Sequence, residues 1–70
     1  MTTAEKIKKY RVGAGLTQTQ AAAKCGMTYQ VWQKYELGLR SPGMDMLSKI
    51  ASAVGVKPGV LFPDKNKLTP

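Results

Sequence analysis

Two threonines suited to starting a helix, Thr17 and Thr28, lie on either side of a single glycine in the middle of this chain. Thr17 opens the run "TQTQAAAKC". Its hydroxyl and the Gln20 amide are spaced as a capping box, each able to bond the other's backbone N–H. The alanine-rich helix that follows would turn Ala21, Ala22 and Cys25 inward and stop at Gly26. Only Gly26 and Met27 then precede Thr28, the cap of a further helix, "YQVWQKYEL", that ends at Gly38. Two helices so short, joined by so tight a turn, must cross steeply.

The remaining segments carry helical signals too, and no stretch alternates apolar and polar residues as a strand would. A first helix is expected from about Ala4 to Gly13, with Ile7, Tyr10, Arg11 and Ala14 on one face. The glycines of "GAG" end it; they follow no strand and so do not form a nucleotide loop. A loop containing Pro42 and Gly43 leads to a fourth helix, Met44 to Val54, with an apolar stripe of Leu47, Ile50, Ala51 and Val54. Asp45 sits where the positive end of that helix favours an acid, and Gly55 closes it. A last helical turn begins at Pro58, a good first helical position. The expected fold is all-α, five helices in one domain spanning 1–70, with a core at about 4–62 and a polar tail at 63–70.

In a chain of 70 residues with 11 Lys+Arg against 4 Asp+Glu, the net charge is +7. That excess points to polyanions, nucleic acid before anionic membrane. One cysteine and no histidine exclude an internal disulfide and a zinc-type cluster. No metal or other cofactor is expected. The acids are scattered without a paired-carboxylate or nucleophile–base pattern, so an enzyme is not expected either. No apolar run reaches membrane length and the N-terminus lacks a signal-peptide core. The expected setting is the cytoplasm.

The ordered set "LTQTQAAAKCGMTYQVWQKYELGLRSP…LSKIASAVGV" resembles the Cro and phage-repressor family of helix-turn-helix proteins, the XRE type. Leu16, Thr17 and Gln18 look like that family's entry to its second helix. Ala22 looks like its small residue at the helix crossing, and Gly26 like its turn glycine. Glu36, Gly38 and Pro42 look like the ending of its recognition helix. The resemblance covers roughly Ile7 to Phe62 and implies a compact five-helix domain of the lambda-repressor-like type. Four positions depart from it. Ala21 stands where a larger aliphatic is usual and Trp32 where isoleucine or valine is usual. Trp32 is read as filling the volume that Ala21 leaves. Leu37 and Leu39 replace residues that are often polar or basic.

On a helical wheel Val31, Trp32 and Tyr35 begin an inward face of the third helix, and Tyr29, Gln30, Gln33 and Lys34 fall opposite. A glutamine amide matches the N6 and N7 edge of adenine, and a lysine can donate to guanine O6 and N7. By resemblance these four are the base-reading positions. The same resemblance assigns phosphate contacts to Thr17, Gln18, Thr28, Arg40 and Ser41, and to Arg11. It also pairs Arg11 with Glu36 to orient the recognition helix. Lys6, Lys8, Lys9 and Lys24 are read as a solvated surface that adds long-range attraction.

The implied function is a sequence-specific regulator, a repressor binding a palindromic duplex operator as a homodimer. Its dimer surface would be sought at Val60, Leu61 and Phe62, although core filling suits Leu61 better. No membrane or small-molecule partner is evident. The alternative is a helix-turn-helix module used chiefly to bind a protein, of antitoxin or antirepressor type.

Overall fold

The first helix begins earlier than its apolar spacing indicates. In the computed structural model, which describes residues 2–62, α1 spans Thr3–Gly13 with Thr2 as its cap. The Thr2 hydroxyl accepts from the Glu5 N–H at 3.2 Å and the Glu5 carboxylate accepts from the Thr2 N–H at 2.9 Å. This second capping box was legible in "TTAE" and displaces the boundary expected at Ala4. The polar tail expected at 63–70 lies outside the described residues.

Helix α2 spans Gln18–Lys24, α3 Tyr29–Leu37, α4 Met44–Val54 and α5 Pro58–Leu61. The Thr17 box forms as drawn, its hydroxyl accepting from Gln20 N–H at 3.1 Å and the Gln20 amide oxygen accepting from Thr17 N–H at 2.9 Å. Cys25 serves as the C-cap of α2, and Gly26 then enters the left-handed region at φ 69°. An L side chain there is strained, which is why the sharp α2–α3 corner needs a glycine. Met27 N–H closes the corner on the Ala22 carbonyl at 3.0 Å. After α1 the left-handed residue is Gly15, not Gly13, and Ala14 is an exposed C-cap rather than part of the inner face.

Ile7, Ala21, Ala22, Cys25, Trp32, Tyr35, Leu47, Ile50, Ala51, Val54 and Leu61 form the core. Each helix contributes to it. Small side chains at Ala21 and Ala22 let α2 approach α3 closely, and Trp32, without exposure, fills the centre. Leu61 is fully enclosed, so of the three residues considered for a dimer surface it belongs to the interior; Val60 and Phe62 stay half-buried. Lys6 Nζ donates to the Phe62 carbonyl at 3.2 Å, tying α1 to the end of α5.

Candidate nucleic-acid interface

Helix α3 is held by its last acidic residue. The Glu36 side chain is 3% exposed, and its carboxylate accepts hydrogen bonds from three other side chains. Arg11 of α1 donates through both Nε and Nη2, the latter at 3.2 Å. Trp32 donates its indole N–H from one turn back on α3. Gln18 of α2 donates its amide N–H at 3.0 Å. Arg11 Nη1 also donates to the Leu16 carbonyl at 2.8 Å, pinning the α1–α2 loop. One carboxylate thus joins α1, α2 and α3.

Burial pushes the Glu36 carboxyl up, but the bonds from Arg11, Trp32 and Gln18, with the Arg11 charge, bring it below its ordinary value. The ionised form is therefore the one the fold holds. A buried carboxylate is tolerable only with its lone pairs satisfied, and no buried side-chain polar atom among the described residues is left without a partner.

With Trp32, Tyr35 and Glu36 facing inward and Val31 packed against the core, the opposite side of α3 is presented to solvent. Gln30 and Lys34 are exposed and Gln33 is half-exposed beside them. Tyr29 sits differently from the position expected. It is ~60° from Trp32 around the helix, against ~160° for Gln30, and is 40% exposed. It lies on the flank of the polar face, beside Gln33, rather than at its centre. Leu37, by contrast, lies on the polar face itself and is 64% exposed.

The flanking polar groups divide by how firmly they are held. Thr17 and Thr28 are exposed, and each hydroxyl oxygen caps its own helix, Thr28 accepting from Val31 N–H at 3.4 Å. Each keeps an O–H free to donate. Gln18 has one amide proton on Glu36 and a second left over. Arg40 and Ser41 are exposed in the loop after α3, and the Arg40 guanidinium lies 5.8 Å from the Tyr35 ring centroid, within cation–π range. Arg11 is committed inward: its side chain is 12% exposed and three of its N–H groups are already engaged. The role of Trp32 as a donor was not legible as spacing, because a tryptophan at an inward position reads as bulk.

A glycine corner between α2 and α3, with α3 anchored from within and polar on its outer side, defines a helix-turn-helix domain. Residues 7–61 match the helix-turn-helix family. The chain belongs to that family, in its Cro and phage-repressor (XRE) type. It is 35% identical over 58 residues to the SPbeta prophage-derived uncharacterized HTH-type transcriptional regulator YonR of Bacillus subtilis, covering 83% of this chain and 54% of that protein. It is 33% identical over 60 residues to the uncharacterized HTH-type transcriptional regulator y4wC of Sinorhizobium fredii, covering 86% and 42%. The chain therefore spans about half the length of the curated relatives it matches. Its fold is similar to the restriction-modification controller protein C.AhdI from Aeromonas hydrophila, with TM-score 0.81 and 25% identity over 86% of this chain and 87% of that one. It is also similar to the hypothetical transcription factor NHTF from Neisseria, with TM-score 0.78 and 25% identity over 94% and 77%.

Proposed function

We propose that this chain is a sequence-specific duplex-DNA-binding regulator, acting in the bacterial cytoplasm as a repressor that binds a palindromic operator as a homodimer. The observation that carries the reading is the polar row of exposed Gln30 and Lys34 and half-exposed Gln33 on a helix locked to α1 and α2 through Glu36. A helix entering the major groove must have its orientation set before contact, because each base-edge bond depends on placement. Gln30 reads an adenine edge, Lys34 a guanine edge, and Gln33 and Tyr29 the neighbouring bases from the flank. The free amide proton of Gln18, the hydroxyls of Thr17 and Thr28, Arg40 and Ser41 contact phosphates on either side. Arg11, engaged with Glu36, acts chiefly by orienting α3 and presents only its remaining N–H groups to the backbone.

One such helix reads a few base pairs, and two related by a dyad, with half-sites ~34 Å apart, supply the specificity of an operator. Selection of bound sites from a random duplex pool tests this directly. The expected product is a two-fold-related pair of half-sites about one turn apart, with affinity falling steeply as salt rises. Recovery of single unpaired sites rejects the dimer; recovery of no common sequence rejects base reading. A module that only binds proteins would show no retention of duplex DNA at low salt.

A further inference from the structure

We propose that Leu37 is a specificity-determining residue that reads a thymine methyl group from the last turn of α3. This rests on the DNA-reading function above and adds an apolar element to its polar face.

With successive residues ~100° apart, Gln33, Leu37 and Gln30 fall at ~100°, ~140° and ~160° from the buried Trp32, and Lys34 at ~200°. In angle Leu37 thus lies between Gln33 and Gln30, at the C-terminal end of the polar face. It is four residues after Gln33 and three after Lys34, the spacing at which helix side chains meet. Side chains on a helix lean toward its N-terminus, so Leu37 extends over the turn that carries Gln33 and Lys34 rather than past the end of the helix. Leu37 does not belong to the core and is not among the half-buried residues packed against it. Gly38, left-handed at φ 75°, ends the helix immediately afterwards.

Duplex DNA offers one apolar group on its major-groove edge, the C5-methyl of thymine. A leucine at the end of this row of amides and an ammonium has no other complementary group in that groove. Leu37 follows Gln30 by seven residues, ~10.5 Å along the axis, so the methyl lies at most about three base-pair steps from the base read by Gln30. The residue thereby favours thymine at one defined place in each half-site.

The test uses the full chain and its selected site, with each thymine replaced singly by uracil, which removes only the methyl. Wild-type affinity is expected to fall about fourfold at one thymine per half-site, the worth of one buried methyl-sized group. In Leu37→Ala the thymine and uracil duplexes are expected to bind equally at that position, while the cost of replacing the adenine read by Gln30 is unchanged. Leu37 is exposed, so the variant should keep the wild-type melting temperature, which separates this role from folding. Site-selective binding in which no thymine-to-uracil cost depends on Leu37 overturns the assignment and leaves the regulator intact. A change of oligomeric state in Leu37→Ala without that dependence assigns the residue to self-association and overturns it equally. Absence of any site-selective binding rejects the DNA-reading function and this inference with it.

Discussion

The indole N–H of Trp32 donates to the Glu36 carboxylate one turn further along α3. The largest core side chain and the acid that binds three helices are therefore one unit. Trp32 supplies volume at the centre and a donor at the edge of the same cluster. Arg11 and Gln18 complete the set from α1 and α2.

Truncating the acid should be costly. Glu36→Ala leaves the Arg11 guanidinium and the Trp32 N–H near the interior without their acceptor. Loss of one partner of such a pair destabilises by ~3–5 kcal/mol, a large share of the stability of a small domain. Urea denaturation of wild type and variant measures it. A loss under ~1 kcal/mol would place this pair with exposed ones.

The same acid sets a pH dependence. The folded protein holds the Glu36 carboxyl below its ordinary value of 4.5. As pH falls, the unfolded chain takes up its proton first, so the stability due to Glu36 is fully present above that value and declines as pH drops through the folded one. The urea midpoint should therefore fall as pH drops below the ordinary carboxyl value of 4.5. Glu36→Gln should reduce that slope. Glu5, lowered by the backbone and side-chain bonds from Thr2, leaves a residual slope of the same sign.

Trp32 and Ala21 are both fully buried in one cluster, which makes the exchange of volume between them testable. Trp32→Ile should cost at least ~2 kcal/mol. Adding Ala21→Leu should recover part of it, because the volume returns but the indole N–H does not. A double-mutant cycle by thermal or urea unfolding gives the coupling. Full recovery would mean that the bond to Glu36 contributes nothing; strict additivity would mean that the two sites do not share space.

Gly26 turns the chain between α2 and α3 at φ 69°, with open space where a Cβ would be. Gly26→Ala should therefore destabilise by ~1–2 kcal/mol through backbone strain alone, without a clash. An unchanged melting temperature would mean that the corner relaxes out of the left-handed region.

Reading and backbone contacts should separate in binding. Gln30→Ala should cost ~1–3 kcal/mol and relax the preference at one position of the half-site. Arg40→Ala should weaken all duplexes alike and reduce the salt slope by ~1. Fluorescence anisotropy over a panel of single-base variants distinguishes them, and a uniform loss for Gln30→Ala would remove it from the reading face.

Local rules in the sequence already decided most of the scaffold. Thr17, Thr28, Gly26, Gly38 and Gly55 mark helix ends through capping and left-handed geometry, which depend on a few neighbouring residues, and the stripe of Leu47, Ile50, Ala51 and Val54 marks a buried face by period alone. The polar outer side of α3 follows from the same period, with Tyr29 exposed on its flank and Leu37 exposed within it. The family resemblance already implied the Arg11–Glu36 pair; what only the tertiary structure decided is that Gln18 and Trp32 join it in aiming α3. Glu36 gathers Arg11 from α1, Gln18 from α2 and Trp32 from its own helix, and residues 25 and 18 positions away in the chain meet at one carboxylate. No local pattern encodes that meeting. It depends on the crossing of packed helices, which fixes distances that spacing along the chain leaves free.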